Sequence, residues 1–547
     1  MSRELQELRV QQGSKARGTS TTSTESAISP DNSGNSTHVP REEPTNNFDL
    51  TVEFLKLGGV SIDNQVAIEA FKIFVAFYLP QLPILGPISI DTIYRTSPFL
   101  FWTIIVVVAS HSSVPSDEGL FGRIEAPYQE MLKNEVLKAP LPLQSIQALL
   151  ILCMWPLPVV TQSKDPSWLY CGVAVNAALY MGLHRPGPLG SLRCVGVVAG
   201  SREARALTWL GCFYVSSSLA MHHGLPPLIS ASDMTSITGF LNEHSVPQSF
   251  EAELKLHVIV TNFTNVLSHD SNDGVVDSSI LRLFDREIDT LKVTFPDQWT
   301  RMTEASALVA KIHIYALIIT RGQSGTVSRD ILLKLSLSAS IRIIHLASSR
   351  FNDETAESYN LSGTQRQRAM IKNYFRGLAF ATAFLLRYFS LNHAASAEEQ
   401  QLAANHVLLS HTIFKTCSTY PRDEHGRVAT LFETLCQKAP VLFDPDKLRV
   451  TDRMGVSILL DTISTASGLR GEPIEITELQ PLNPPITIPE LADDDNQQSY
   501  VCAATNPFEP GASDLTFQNE FWTDQVWDMF NFPDAPSQFQ SSQDYSL

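Results

Sequence analysis

The chain has 547 residues, is 44% hydrophobic and carries a formal net charge of −17. That apolar content excludes a wholly disordered chain, and the length exceeds an ordinary single domain, so two domains or one large domain with tails is expected. An acidic chain with no basic stripe is expected to bind DNA poorly by itself, and seven scattered cysteines without a C-x-x-C pair point to a reducing compartment.

Residues 1–47 are almost entirely polar and are expected to be disordered. Their first ten, MSRELQELRV, set Leu5 and Leu8 among charges and fit the end of a short coiled coil; a frayed polar start fits equally. Residues 48–470 read as one large all-α domain. Helices are expected over 65–79, 98–109, 118–137, 145–155, 166–182, 202–223, 250–268, 279–294, 302–321, 329–349, 368–389, 400–416 and 452–467. Alternating strand patterns are nearly absent, and Gly58-Gly59 reads as a pair in a loop. The run FLFWTIIVVVA from Phe99 spans 11 residues, well short of the roughly 20 that cross a membrane, so it is expected to be a core helix and no membrane partner is expected.

The most informative stretch runs from Leu143 to Gly187. From Ser145 to Trp155 the apolar residues cover every face, as in a buried helix, and Pro156 and Pro158 stop it. Asp165 is then a good N-cap, Pro166 suits a first helical position, and Gly172, Ala174, Ala177 and Ala178 suit close helix approach. Gly182 and Pro186 mark the end of this second helix.

The segments SIQALLIL, the following Trp-Pro pair, KDPSWLY and MGLHRP resemble the middle homology region of fungal zinc-cluster transcription factors, in the leucine-biosynthesis and weak-acid-resistance branch. A second block, Gly200 to Ser230, is similar to the family segment in which a charged helix start leads to an aromatic run and a Gly-Pro exit. Glu203 and Arg205 hold the charged positions, Trp209, Phe213 and Tyr214 the aromatic ones, and Gly224, Pro226 and Pro227 the exit. Two departures stand out: adjacent arginines are thinned to Arg202 and Arg205, and Ser216-Ser217-Ser218 replaces an aspartate–arginine pair. The resemblance implies a nuclear, non-enzymatic regulator of a metabolic or biosynthetic gene set. It also implies a helical domain open to a small-molecule effector, with homo- or heterodimer pairing.

From Gly471 to Leu547 the chain has 14 acidic and no basic residues, so −14 of the net −17 falls there. The acids alternate with large aromatics, the composition of an activation segment that docks on a transcriptional coactivator, or alternatively of a solubilising tail. Phe521, Trp522, Val526, Trp527, Phe530 and Phe532 are its candidate contact residues.

No P-loop, dinucleotide fingerprint, G-x-S-x-G or H-E-x-x-H motif occurs, so neither catalytic residues nor an organic cofactor are expected. His222-His223 is a poor metal pair, because adjacent helical residues point about 100° apart, and His184 reads as a helix-end residue. The family's DNA reader holds two zinc ions with six closely spaced cysteines; here the first cysteine is Cys153, inside a core helix. No metal site is expected, and DNA contact is expected to be indirect, through a partner or a missing N-terminal zinc cluster. A helical ligand-sensing or scaffold protein without transcriptional activity is the alternative.

Overall fold

The computed structural model of the chain describes residues 46–159, 164–185, 200–229, 234–269, 278–320, 326–348, 361–392, 395–420, 423–437 and 455–470. Among them are seventeen α-helices and one two-stranded hairpin, so the all-α expectation holds with one small exception. The expected disordered start, the coiled-coil remnant and the acidic-aromatic segment lie outside the described residues.

The exception is β1 (Phe54–Leu57) paired antiparallel with β2 (Val60–Asp63), Leu55 opposite Ile62. Gly58, at φ 56°, turns the hairpin, so the Gly58-Gly59 loop joins two strands. Each strand is only four residues long, too short for its alternation to register beside longer helical neighbours. Asp63 then caps α1 (Asn64–Ile73), its carboxylate accepting from Gln65 N. A π-helical turn, Phe74–Tyr78, continues it and buries Tyr78, whose hydroxyl meets Ser112 Oγ at 2.6 Å.

After the short α2 (Ile90–Thr96), α3 (Pro98–His111) starts with Pro98 in its first turn and buries twelve of its fourteen residues. The 11-residue apolar run is therefore core. α4 (Leu120–Val136) follows, then α5 (Leu143–Met154), buried at eleven of twelve positions. One polar residue in α5 sets its register: Gln147 Nε2 donates to Ile84 O and to Thr208 Oγ1, both at 3.0 Å. Thr208 belongs to α7 (Arg202–His223), which Ser201 caps at Ala204 N and Gly224 ends in the left-handed conformation.

α6 (Ser167–Tyr180) corrects one expectation. Ala174 and Ala178 are buried, but a Cβ at Gly172 would meet nothing within 4 Å, so Gly172 is not a point of close approach. Tight contacts occur instead at other glycines, among them Gly211 in α7, against Ile84, and Gly377, against Val309.

α8 (Met234–Glu243), α9 (Gln248–His269) and α10 (Ser278–Thr294) lead to the centre of the fold. There α11 (Arg301–Thr320) and α12 (Thr326–Ser348) pack on each other and on α14 (Lys372–Leu391). α11 and residues 329–348 of α12 have the length and apolar content of membrane helices, but 72% and 56% of those stretches are buried against the fold. α15 (Ala397–Cys417), capped reciprocally by Ser396 and Glu399, pairs with α16 (Glu424–Gln437), and α17 (Ser457–Arg470) packs on α14 and α16.

The helix expected over 368–389 starts four residues later, and a separate short helix precedes it. α13 (Gly363–Arg368) stops at Ala369, and α14 starts at Lys372. Ala369 O accepts from both Gln81 Nε2 and Trp155 Nε1 at 2.9 Å, and Gln81 Oε1 accepts from Ile371 N at 2.9 Å. Two side chains distant in sequence take the backbone groups that a continuous helix would use. Four short or mixed helices, α2, α8, α13 and α16, lie outside the expected set; α16 has a readable start in Asp423.

Val309 Cγ2 lies 2.4 Å from the Cβ position that alanine would add at Gly377. Gly377→Ala is expected to destabilise the fold by about 1–3 kcal/mol in urea unfolding. Adding Val309→Ala to Gly377→Ala should recover part of that loss in a double-mutant cycle.

Candidate functional site

Three basic residues, Arg368, Lys372 and Arg427, line one opening beside the break between α13 and α14, with Arg376 one turn further along α14. Lys372 and Arg376 stand in the first two turns of α14, where cations oppose the helix dipole. Their compensation comes from Asp165, ahead of α6. Asp165 Oδ1 accepts from Ser167 N at 3.0 Å and Ser167 Oγ at 2.5 Å. Its Oδ2 takes Lys372 Nζ and, at 3.3 Å, Arg376 Nη2. Lys372 Nζ also donates to Ser167 Oγ at 3.0 Å, and Arg376 Nη1 donates to His223 Nε2 at 3.0 Å. Burial alone would raise the Asp165 pKa, but the two cations and these hydrogen bonds outweigh it and hold the carboxyl well below the usual range. Burial and the neighbouring Arg376 charge push the Lys372 pKa down, against the pull of Asp165.

Beside this triad lies a cleft between the end of α5, the start of α14, the end of α15 and the start of α16. Its empty volume is about 920 Å³, open mouth included. Leu157, Met370, Phe375, Leu378, Ile413 and Phe414 form its apolar wall, and Arg368, Lys372, Arg427, Asp423, His111 and His425 its polar one. Burial pushes the pKa of His111 down to about 4 and that of His425 below its ordinary value, so both rings are neutral at pH 7. Two smaller cavities continue inward. One shares Phe375, Glu424 and Arg427 with the cleft, the other shares Tyr374, and His222 lines both.

The inner end of this seam is polar. Ser217 Oγ meets His257 Nδ1 at 3.0 Å, Ser218 Oγ meets His257 Nε2 at 3.3 Å, and Ser216 Oγ accepts from Leu228 N at 3.0 Å. The three serines that depart from the family pattern thus pin α7 to α9 and to the Gly-Pro exit. Burial lowers the His257 pKa to about 4. Glu253, one turn earlier in α9, is buried; desolvation raises its pKa to about 7, with Ser306 and Thr303 offsetting only part of the shift.

Trp209, Phe213 and Tyr214 are all buried, and the His184 ring sits 6.0 Å from that of Trp209. His222 and His223 diverge, His222 toward His313 and His223 toward Trp168 and Arg376. Among the described residues no group of three or more His, Cys, Asp or Glu side chains is placed to hold a metal ion. The activation residues Phe521, Trp522, Val526, Trp527, Phe530 and Phe532 lie outside the described residues. Sequence reasoning found Asp165 as a cap but missed Arg368, Lys372, Arg376 and Arg427. A signal was present: cations in the first turns of an apolar helix need a carboxylate from elsewhere.

Fold and cleft define an all-helical domain with a buried ionic centre. Residues 71–250 match the fungal specific transcription factor domain. The match contains Asp165 and one wall of the cleft, while α13 to α16 supply the other. The chain is 27% identical to the transcriptional regulatory protein SEF1 of Candida albicans over 313 residues, 55% of this chain and 33% of that protein. It is 28% identical to the SEF1 protein of Eremothecium gossypii over 273 residues, 47% of this chain and 25% of that protein. It is 24% identical to the regulatory protein LEU3 of Saccharomyces cerevisiae over 292 residues, 48% of this chain and 32% of that protein. The chain thus spans a quarter to a third of the length of these relatives. No solved structure matches it.

Asp165→Asn leaves two buried cations without their shared carboxylate, and urea unfolding at pH 7 is expected to register a loss of about 3–5 kcal/mol. The stabilisation from Asp165 is present above the ordinary carboxylate range and fades as pH falls through the lower folded-state pKa. Glu253 works in the opposite sense. As pH rises from 4.5 to about 7 the unfolded chain releases this proton before the folded one, and stability drops. Glu253→Gln should flatten that slope and raise stability at pH 8 by on the order of 3 kcal/mol in the same assay.

Proposed function

We propose that the protein is a nuclear regulator of transcription in a fungus, acting on a metabolic or biosynthetic gene set, and not an enzyme. The match of residues 71–250 to the fungal specific transcription factor domain carries this reading. The names of the relatives support it: a transcriptional regulatory protein and a regulatory protein. In this reading residues 48–470 are the regulatory domain, and the interhelical cleft is where a small-molecule effector shifts its state. Binding must favour one conformation over another, so the effector belongs between helices that move relative to each other.

Residues 471–547 are the activation segment. Their acids keep the aromatics solvated until a coactivator groove takes them up. DNA contact is indirect, through a homo- or heterodimer partner or through a zinc cluster preceding this sequence. The chain needs no resident cofactor for this role.

Tethering residues 471–547 to an unrelated DNA-binding domain is expected to switch on a reporter gene. Trp522→Ala with Trp527→Ala should reduce that output by an order of magnitude, since aromatic anchors dominate such contacts. A silent fusion, or one indifferent to both changes, favours the scaffold reading.

A further inference from the structure

A pair of histidines stands apart from the cleft lining and from the ionic centre. His345 lies in the last turn of α12 and is exposed. His406 lies midway along α15 and is buried. Their Nε2 atoms are 3.0 Å apart and their rings cross at 79°. His406 Nδ1 lies 2.7 Å from Leu402 O. A carbonyl only accepts, so this nitrogen carries the ring proton, and in the neutral ring the Nε2 lone pair is turned to His345. Arg342, one turn before His345, is matched by the Glu304 carboxylate at 2.8 and 3.1 Å, which neutralises the nearby positive charge.

A histidine that ligates a metal gives its other ring N–H to a carbonyl, a carboxylate or water, which fixes its tautomer and its aim. His406 has that arrangement through Leu402 O. The spacing of the pair fits as well. On metal–nitrogen bonds of about 2.0–2.1 Å, two nitrogens 3.0 Å apart subtend roughly 90–100° at the ion. That is the angle between neighbouring ligands in the square-planar or tetragonal shells of copper(II) and nickel(II). As the pair stands, the contact is a hydrogen bond from His345 Nε2–H to His406 Nε2. Coordination asks most of His345, the exposed ring. Its proton moves from Nε2 to Nδ1, and the ring swings until both lone pairs meet one ion. Both rings stay neutral, so the hydrated ion gives up two waters and no proton is released.

We propose that His345 and His406 form a two-histidine site for a first-row divalent ion of the nickel(II) and copper(II) kind, with water in the remaining positions. Two protein ligands fall short of the three or four that hold a resident catalytic or structural metal, so the ion at this site exchanges with the solution. A bound ion ties α12 to α15. From His406, α15 runs about two turns on to Ile413 and Phe414 in the cleft wall, so the ion steadies one side of the cleft. The two ligands are 61 residues apart in the chain, and no local spacing rule joins them. The proposal stands independently of the transcriptional reading.

The experiment is calorimetric titration of the whole purified chain with nickel(II), with magnesium(II) as the oxygen-seeking control. The expected result is a nickel(II) Kd below about 100 µM with magnesium(II) at least ~10-fold weaker. Nickel(II) should also raise the melting temperature, and EDTA should reverse the rise. His345→Gln keeps an amide donor for His406 Nε2 but removes the imidazole. It should weaken nickel(II) at least ~10-fold and abolish the melting shift, while the melting temperature without nickel(II) stays the same. His406→Gln should weaken nickel(II) to the same degree. Absence of nickel(II) binding overturns the proposal and leaves the contact as a hydrogen bond only. Undiminished binding by His345→Gln overturns it too, because the ion then sits at other side chains. His345 is exposed, so its variant decides even where His406→Gln fails to fold. A negative titration leaves the transcriptional reading standing.

Discussion

Removing a carboxylate and two cations from water costs several kcal/mol per ion, and only close pairing with further hydrogen bonds offsets it. Asp165, Lys372 and Arg376 satisfy that condition together, across 207 and 211 residues of chain. The contact joins the start of α6 to the start of α14, and so the region matched by the family to the helices beyond it. Its geometry depends on local details on both sides. Ser167 occupies the second carboxylate oxygen, and the cations stand one helical turn apart, which aims both at one acceptor.

The cleft follows from the same constraint. Lys372 reaches Asp165 only because α14 begins where it does, and α14 begins there because Gln81 and Trp155 hold the backbone of Ala369 and Ile371. A helix running straight through would carry Arg368 and Lys372 on consecutive turns of one rod. Broken, it leaves Arg368 at the end of one segment and Lys372 at the start of the next, with an opening beside them. Pro156 and Pro158 keep α5 from growing into that space, and Asp423 starts α16 on its far side.

The departures from the family pattern have structural consequences. Where the family often has an aspartate–arginine pair, Ser216, Ser217 and Ser218 pair with Leu228 N and His257. The polar contacts at the inner end of the seam are made by hydroxyls and a neutral imidazole. The ionic centre of the domain lies at Asp165, in the KDPSWLY segment that carries the family likeness.

Local sequence is enough to set the helical class, most helix positions and the buried character of α3, α5 and α7. Apolar periodicity, proline stops and capping residues are local signals, and they act within a few turns of where they are read. It also marked Asp165, though only as a cap. Tertiary structure alone decided the break at Ala369, the partners of Asp165 and the cleft beside them. Each of these depends on a side chain that arrives from far along the chain, and the acceptor it will find is no property of its neighbours in sequence.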